Sequence, residues 1–204
     1  MAEKNMWEIE QALWEKGTGV ICGVDEAGRG PLAGPVYAAA VILPDNLEIP
    51  GLDDSKKLTD KRRRELMPII KEKAIAYGIA FAGHEEIDKI NILQATYLAM
   101  ERAISKLQVK PDMALIDGNR AKDFGVPCQT IVGGDAKSAS IAAASILAKV
   151  TRDNYMVDMA KQYPQYGFEV HKGYGTKAHY AALTEHGPSP IHRMTFLKKF
   201  YGTE

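Results

Sequence analysis

Four acidic residues occupy positions in the sequence where a metal site could form. Asp25 and Glu26 follow the most apolar predicted strand, Val20–Val24, while Asp117 ends another predicted strand and Asp135 follows a third. In open α/β sheets, functional groups collect at strand ends of this kind. Each acid taken alone is also compatible with a turn, a loop start or a helix cap. The four together indicate a functional site at one edge of a sheet.

Crowded carboxylates favour chemistry that uses divalent cations. Without a cation they would repel one another, and the repulsion would raise their pKa values. An all-oxygen ligand set suits Mg²⁺ or Mn²⁺ rather than Zn²⁺, and no histidine or cysteine pair has zinc-finger spacing. Two ions about 3.5–4 Å apart would support in-line hydrolysis of a phosphodiester by water. We therefore expect the catalytic residues and metal ligands to be Asp25, Glu26, Asp117 and Asp135.

Residues suited to hold a nucleic acid accompany these acids. Glycines leave the backbone accessible to a ribose, serine and lysine side chains donate to phosphate, and a helix N-terminus favours an anion. A tyrosine between two glycines indicates close packing of the backbone rather than a core tyrosine. The candidate substrate-binding residues are Gly28, Arg29, Gly30, Ser55, Lys56, Lys57, Ser138, Ser140 and Tyr174.

Hydrophobic periodicity and turn residues predict the elements that carry these side chains. Their order, three strands followed by alternating helices and strands, predicts a mixed α/β sheet with helices on its faces. Pro68 should bend or split the helix that Thr59 caps. The predicted strands are Val20–Val24, Val36–Leu43, Ala74–Ala82, Met113–Ile116 and Val126–Val132; the predicted helices are Lys4–Lys16, one capped by Thr59, Asn91–Lys106, Ser138–Gln162 and one from Thr176 to Gly187.

The charge distribution is uneven although the totals balance. Basic and acidic side chains both number 26 in the 204 residues. Between Lys56 and Lys73, however, eight basic residues face three acids, and from Lys161 to Glu204 six face three. Clustered positive charge suits a groove that follows phosphates, although for Lys61–Arg64 alone a solvated helix face is the better interpretation.

Other features of the composition indicate a single-domain globular protein. The acidic N-terminal residues lack the apolar stretch of a secretory signal, and no apolar run is long enough to span a bilayer. Cys22 and Cys128 lie in predicted strands, and we expect them to be reduced thiols of a cytoplasmic protein.

Two other functional classes are compatible with parts of the sequence. Gly28–Ala33 fits the permissive G-x-G-x-x-A pattern of a dinucleotide-binding oxidoreductase, with Asp53 at a suitable distance. The strand predicted after Gly34-Pro35 leaves no helix to receive a pyrophosphate, which Asp25 and Glu26 would also repel. A non-catalytic module that binds RNA–DNA hybrids would need the basic residues. It would not need the four acids, which weaken binding to a polyanion.

Six stretches of the sequence, in order over nearly the whole chain, resemble ribonuclease HII, the type 2 ribonuclease H family. The first and last stretches are each highly specific. The short segment before the first predicted strand favours this family over the related ribonuclease HIII, which usually carries a long N-terminal substrate-binding domain. The matching stretches are Gly23–Pro35, Asp54–Leu58, Asp117–Asn119, Gly134-Asp135, Ser140–Asp153 and His171–Lys177.

The resemblance implies a ribonuclease H-like fold, which is a mixed five-stranded α/β sheet flanked by helices. It implies a single domain with a catalytic core at about residues 18–160 and a C-terminal helical, substrate-binding segment at about 161–204. The same four acids would be the metal ligands. The residues implied in recognition of a ribose 2′-hydroxyl are Gly28, Arg29, Gly30 and Tyr174.

The implied enzyme is a metal-dependent endoribonuclease, which is a phosphodiester hydrolase. It would hydrolyse the RNA strand of RNA–DNA hybrids and cut 5′ of ribonucleotides embedded in duplex DNA, leaving 5′-phosphate and 3′-hydroxyl ends. Its cofactor would be Mn²⁺ or Mg²⁺, with two ions in the presence of substrate. We expect a cytoplasmic monomer that acts in DNA replication and repair without binding a membrane.

Overall fold

Five strands form one mixed sheet in the computed structural model, which describes residues 5–202. The strands are β1 (Ile21–Ala27), β2 (Val36–Ile42), β3 (Ala76–Ala82), β4 (Met113–Asp117) and β5 (Cys128–Ile131). Their order in the sheet is β3-β2-β1-β4-β5. Pairing is antiparallel from β3 to β1 and parallel from β1 to β5. The mixed sheet predicted from the sequence is confirmed, with strand ends that differ from the predicted ones by at most three residues.

Seven α-helices accompany the sheet in the described part of the chain. They are α1 (Glu8–Trp14), α2 (Asp60–Lys73), α3 (His84–Ser105), α4 (Ala139–Gln162), α5 (Phe168–His171), α6 (Lys177–His186) and α7 (Met194–Tyr201). The caps predicted at Thr59 and Thr176 are confirmed, because each hydroxyl accepts a hydrogen bond from an N–H in the first helical turn. The first helix is shorter than the predicted Lys4–Lys16, and Lys4 itself lies outside the described residues. α5 and α7 are additional to the prediction.

The two long helices cover opposite faces of the sheet, as the alternation of side chains along β1 requires. Cys22 and Val24 pack towards α3, whereas Gly23 faces α4. A Cβ on Gly23 would lie 2.1 Å from the main-chain carbonyl carbon of Ser140, so α4 can approach β1 this closely only over a glycine. The predicted close packing of the alanine-rich helix is confirmed, since Ala142–Ala144 are fully buried.

Two helices differ from their predicted form. α2 is continuous through Pro68, so the predicted split is not found; Leu66 and Ile70 are fully buried on either side and hold the helix against the core. α3 begins at His84, earlier than predicted, and is kinked at Asn91, whose φ of 66° is not helical. Asn91 Oδ1 accepts hydrogen bonds from the N–H groups of Leu93 and Gln94. Asn91 therefore caps the second part of α3 as predicted, but a further helical segment precedes it.

The C-terminal helices pack against the second half of α4 rather than against the sheet. Met156 and Ala160 of α4 form a separate core with Phe168, Leu183 and Leu197. Leu32 and Ala33, from the loop between β1 and β2, belong to the same core. The C-terminal segment is thus attached directly to the loop that follows Asp25 and Glu26. The division of the chain at about residue 160 stays a prediction.

Neither cysteine is in a disulfide: Cys22 is on β1, Cys128 is on β5, and β4 lies between them. Burial raises the pKa of the Cys22 thiol to about 12, so this thiol is inert at neutral pH. Within residues 5–202, no helix is both long enough and apolar enough to cross a membrane.

Candidate active site

Three of the four predicted acids meet at one edge of the sheet. Asp25 lies near the end of β1, Asp117 ends β4, and Asp135 lies in the short 3₁₀ turn (Gly134–Ala136) after β5. These three strands are parallel neighbours, so their carboxyl ends are adjacent. One carboxylate oxygen from each acid lies within 4.8 Å of the other two. Residues at the ends of three strands thus form one cluster, although Asp25 is far from the other two in the sequence.

Glu26 lies beside this cluster but not within it. Successive side chains of a strand point to opposite faces, so Glu26 points away from Asp25 and towards α3. Its carboxylate lines two clefts, one shared with Asp25 and the other with residues of α3. Arg29 Nη1 lies 3.4 Å from Glu26 Oε1 in an exposed ion pair. Asp117 lines the same two clefts, so Glu26 and Asp117 together separate them.

The surroundings of the acids disfavour their ionised forms. Burial, with smaller effects from Glu26 and Asp117, raises the pKa of Asp25 well above its usual value. Burial likewise raises the pKa of Glu26, against the opposing effect of Arg29, and that of Asp135, against the opposing effect of Lys56. The site therefore holds more negative charge than its own cations compensate.

Lys56 supplies part of the missing positive charge. Its Nζ lies 3.1 Å from Asp135 Oδ2. Partial burial lowers the pKa of Lys56, but the bond to Asp135 and the charges of Asp25 and Asp117 outweigh that effect and raise it. The Lys56 side chain is 76% exposed, so it borders solvent as well as Asp135.

The donor set fits a divalent cation. Asp25 and Asp135 are 3% and 2% exposed, and their carboxylate oxygens converge with an oxygen of Asp117. The orientation of Asp117 is fixed because its Oδ1 accepts a hydrogen bond of 2.7 Å from the N–H of Gly134. Hard carboxylate oxygens at buried, mutually repelling positions match Mg²⁺ or Mn²⁺.

A cleft of about 260 Å³ opens over the acids and contains most of the predicted substrate-binding residues. Gly28, Arg29, Gly30, Ser55, Lys56 and Tyr174 line it, together with Lys149 and Arg63. Tyr174 is 44% exposed, and its ring lies against Gly30, where an added Cβ would be 3.6 Å from the ring. An open aromatic face and a glycine backbone therefore border the same cleft.

Two of the candidate substrate-binding residues, Lys57 and Ser55, are less available to a substrate than expected. Lys57 pairs with Asp53 at 3.6 Å and is not among the residues that line the cleft. Ser55 lines the cleft but is only 5% exposed, and its hydroxyl lies 2.7 Å from that of Ser145. Ser55 thus reaches the cleft with its hydroxyl already engaged.

The chain matches a family model described as Ribonuclease HII over residues 22–199. The ribonuclease HII of Endomicrobium trichonymphae is 59% identical over 194 residues, which cover 94% of this chain and 92% of that protein. The chain belongs to the ribonuclease HII family. The family is one of metal-dependent ribonucleases H, so this protein is a hydrolytic nuclease.

Solved structures agree with the ribonuclease HII assignment. Ribonuclease H2 from Pyrococcus horikoshii OT3 superposes with a TM-score of 0.71 at 27% identity, covering 87% of this chain and 93% of that one. Bst-RNase HIII, in a structure with Mn²⁺, superposes with a TM-score of 0.66 at 19% identity, covering 88% and 67%, and supports the fold alone. The predicted ribonuclease H-like fold is confirmed.

The dinucleotide-binding alternative fails in the ribonuclease HII chain. Gly28–Ala33 leads into β2, which runs antiparallel to β1, so no helix N-terminus follows the glycines. Asp25 and Glu26 line the same cleft as the glycines, so their carboxylates would repel a pyrophosphate there. Gly28 instead allows a positive φ and a close approach of Arg152 to the loop. Its φ is +99°, and a Cβ there would lie 1.9 Å from Arg152 Nε.

Two buried arginines that support this loop were missed in the sequence. Arg193 donates to the carbonyl groups of Gly28, Arg29 and Gly34 at 2.6–2.9 Å. Arg152 donates to those of Ala33, Pro35 and Lys172 at 3.0–3.2 Å. Arg152 could have been found, because it interrupts the apolar stripe that runs along α4 through Ala148 and Met156. Arg193 lies outside any periodic pattern and carries no such signal.

The prediction that Ser138 and Ser140 bind the substrate is wrong. Both are buried at the N-terminus of α4, where their hydroxyls donate to Glu10 Oε1 at 2.6 and 2.8 Å. The N–H of Ser140 also points to that oxygen, at 3.3 Å. This helix N-terminus does bind an anion, as expected of its free N–H groups, but the anion is the carboxylate of Glu10 from the chain's own first helix.

We expect Glu10→Ala to lower the free energy of unfolding by about 2–3 kcal/mol, because it leaves two buried hydroxyls and a helix N–H without their charged acceptor. Glu10→Gln should cost less, since its amide oxygen can still accept. Urea denaturation monitored by circular dichroism measures both, with the exposed Glu15→Ala from the end of the same helix as the control. Equal stability of Glu10→Ala and the wild type would show that the buried carboxylate does not anchor α1 to α4.

Proposed function

We propose that this protein cuts the RNA strand of RNA–DNA hybrids and also incises duplex DNA 5′ of an embedded ribonucleotide, with two divalent cations bound. The observation that carries the proposal is the convergence of Asp25, Asp117 and Asp135 within 4.8 Å, two of which, Asp25 and Asp117, line the cleft that Gly28–Gly30 and Tyr174 border. A cluster of cation ligands next to a surface for reading sugars is what selective cleavage at a ribonucleotide requires.

The positions of the clefts support a path for the substrate strand across the acids. One cleft contains Tyr174 and continues into a groove bordered by Lys149 and Lys172. The other, of about 240 Å³, lies beyond Glu26 and contains Asn119 and Arg120. We infer that the strand enters on the Tyr174 side and leaves past Arg120, which places one phosphodiester over the acids. Basic side chains at both ends would bind the flanking phosphates.

The residues of this chain have separable roles in the proposed reaction. Asp25, Asp117 and Asp135 would hold the cations, and Glu26 would complete the ligand set from the other side. When bound, Mg²⁺ or Mn²⁺ supplies Lewis-acid chemistry that activates water and stabilises the charge of the leaving 3′-oxygen. Lys56 would move from Asp135 to the phosphate as a cation neutralises the acids. Water is the nucleophile, so the products would carry 5′-phosphate and 3′-hydroxyl ends.

Selection of ribose over deoxyribose would fall to Gly28–Gly30 and Tyr174. A 2′-hydroxyl both donates and accepts a hydrogen bond, and the main chain of the glycine loop offers both kinds of partner. The Tyr174 ring lies across the cleft from the acids and is open enough to stack on a sugar. Arg193 and Arg152 keep the loop carbonyls in place, so the loop need not reorganise when substrate binds.

All of these groups come from one chain, which supports activity as a monomer. A non-catalytic module that binds RNA–DNA hybrids is the weaker alternative, because a cluster of carboxylates opposes binding of a polyanion unless a cation is present. The hydrolytic character of the family also opposes it.

The test is cleavage of four labelled duplexes: an RNA–DNA hybrid, DNA with one ribonucleotide, all-DNA and all-RNA. With Mn²⁺ or Mg²⁺, we expect cleavage of the first two only, and incision of the second on the 5′ side of the ribonucleotide. Excess EDTA should abolish both activities. Cleavage of the hybrid but not of the duplex with one ribonucleotide would refute the incision activity, and cleavage in EDTA would refute the metal requirement.

A further inference from the structure

A chain of buried histidines connects the C-terminal segment to Tyr174. His179 and His192 are 0% and 2% exposed, and their Nε2 atoms lie 2.9 Å apart. His179 Nδ1 lies 2.9 Å from the carbonyl oxygen of Tyr174. At the other end, His192 Nδ1 lies 2.8 Å from the N–H of Ser189. None of these imidazoles takes part in the chemistry proposed above.

The partners determine where the protons lie. The Tyr174 carbonyl only accepts, so His179 must carry its proton on Nδ1. The Ser189 N–H only donates, so His192 Nδ1 must be unprotonated. His192 therefore carries its proton on Nε2 and donates it to the free Nε2 of His179. The bonds run in one direction, from Ser189 through His192 and His179 to Tyr174, and both rings are neutral.

The electrostatic surroundings agree with this arrangement. Burial, with a smaller effect from the neighbouring His179, lowers the pKa of His192 to about 4. Burial also lowers the pKa of His179. A second proton on His179, at Nε2, would face the N–H of His192 across 2.9 Å, and a second proton on His192, at Nδ1, would face the N–H of Ser189 across 2.8 Å. The pair is therefore neutral at neutral pH, and each tautomer is held by a main-chain group.

The segment that contains His192 also holds the glycine loop that faces Tyr174. His192 is followed directly by Arg193, which donates to the carbonyl groups of Gly28 and Arg29. The N–H of Arg193 donates to the Leu32 carbonyl at 2.9 Å, and the Ile191 carbonyl accepts from the Gly34 N–H at 2.9 Å. Residues 189–193, here called the brace, thus contact the glycine loop directly and Tyr174 through His179.

We propose that His179 is a positioning residue for ribose recognition, with its tautomer set by His192 of the brace. By holding the Tyr174 carbonyl, His179 fixes the Tyr174 ring against Gly30, while Arg193 fixes the glycine loop on the other side of the ribose. The brace sets the spacing between these two surfaces. This inference rests on the proposed role of Tyr174 in reading the sugar.

Two isosteric substitutions separate the two contacts of His179. An asparagine amide can replace Nδ1 as donor to Tyr174 but does not reach His192. A glutamine amide reaches the position of Nε2 and His192 but leaves the Tyr174 carbonyl without its side-chain donor. His186→Gln is the matched control, since His186 lies on the same helix beside the solvent and Glu185.

The measurement is the ratio of affinities for DNA with one ribonucleotide and for all-DNA duplex, in EDTA so that neither is cut. We expect His179→Gln to reduce this ratio about tenfold, since small displacements of a positioning group have effects of that order or larger. His179→Asn and His186→Gln should stay within about twofold of wild type. The Mn²⁺ concentration for half-maximal cleavage of an RNA–DNA hybrid should not change, because the acids are untouched.

Other outcomes overturn the inference. An unchanged ratio in His179→Gln, or equal losses in the Asn and Gln variants, would show that the Tyr174 contact does not matter. Tyr174→Ala in the same assay distinguishes the two proposals: if it too leaves the ratio unchanged, the reading of the sugar by Tyr174 fails first. Nitrogen NMR of the wild type is independent of how the variants fold. It should show His179 protonated on Nδ1 and His192 on Nε2, and the reverse assignment would contradict the proposed chain.

Discussion

Asp25→Asn is expected to remove nearly all cleavage and, in metal-free buffer, to make the protein more stable than the wild type. Cation-assisted stabilisation of the transition state is worth several kcal/mol, so the loss of a ligand should lower the rate by about a thousand-fold or more. Most substitutions of buried residues lower stability. This one is expected to raise it, because an ionised Asp25 carboxylate is unfavourable at its buried position when no cation is bound.

The sign follows from the raised pKa of Asp25, which is caused first by burial and then by Glu26 and Asp117. A group whose pKa is raised by folding contributes stability at low pH and loses it as the pH rises through the folded-state pKa. Metal-free wild type should therefore lose stability as the pH rises from about 4 towards neutrality, and Asp25→Asn should lose less. Divalent metal should restore stability to the wild type but much less to the variant.

Thermal unfolding with and without Mn²⁺, together with single-turnover cleavage, measures both effects. Asp158→Asn provides the control, since Asp158 lies on the exposed face of α4 and pairs with Lys161. Near-normal cleavage by Asp25→Asn would remove Asp25 from the ligand set. A variant less stable than metal-free wild type would contradict the electrostatic account of the cluster.

Tyr174→Ala is expected to lose most cleavage at a single ribonucleotide in DNA while metal binding is retained. The ring is 44% exposed over the cleft, so its removal leaves one side of the ribose uncovered without opening the core. A site built around a hydroxyl group loses far more than contact area when a partner is removed, and a reduction of about a hundred-fold is reasonable. Tyr174→Phe should lose less if stacking dominates, and as much if the phenolic hydroxyl is the main contact.

The comparison requires kcat/KM at the single ribonucleotide and the Mn²⁺ dependence of each variant. Tyr77→Ala is the matched control, because Tyr77 is similarly exposed, at 39%, but lies on the edge strand β3. If Tyr174→Ala cleaves the single ribonucleotide at the wild-type rate, ribose recognition rests on the glycine loop alone.

The acid cluster could be predicted because its members follow apolar segments that can only be buried strands. Once β1, β4 and β5 are parallel neighbours, Asp25, Asp117 and Asp135 have to meet at one edge. Successive side chains of a strand point to opposite faces, so Glu26 was bound to point away from its neighbour Asp25. Which of the two faces the cluster could be decided only once the register of β1 was known. The family resemblance added the implied ribose-reading residues and the ribonuclease H-like fold.

Contacts made over long sequence distances by irregular segments could not be predicted. Ser138 and Ser140 have the residue types of an anion site, and nothing near them in the sequence shows that Glu10 occupies it. Similarly, Arg193 lies in a stretch without periodicity, and its partner Gly28 is 165 positions away. His192 lies in the same stretch, and its partner His179 belongs to a different element. The partners of these side chains are determined by tertiary packing, which the local sequence does not show.

The chemical nature of the product ends tests the central claim most directly. Cleavage of the RNA strand of an RNA–DNA hybrid, where every cleavable bond has a neighbouring 2′-hydroxyl, is carried out in water enriched in heavy oxygen with Mn²⁺, and the products are weighed by mass spectrometry. Attack by water activated at Asp25, Asp117 and Asp135 predicts a 3′-hydroxyl on one fragment and a 5′-phosphate that carries heavy oxygen on the other. A 2′,3′-cyclic phosphate would show that the ribose hydroxyl is the nucleophile, and the proposed role of the three acids would then be wrong.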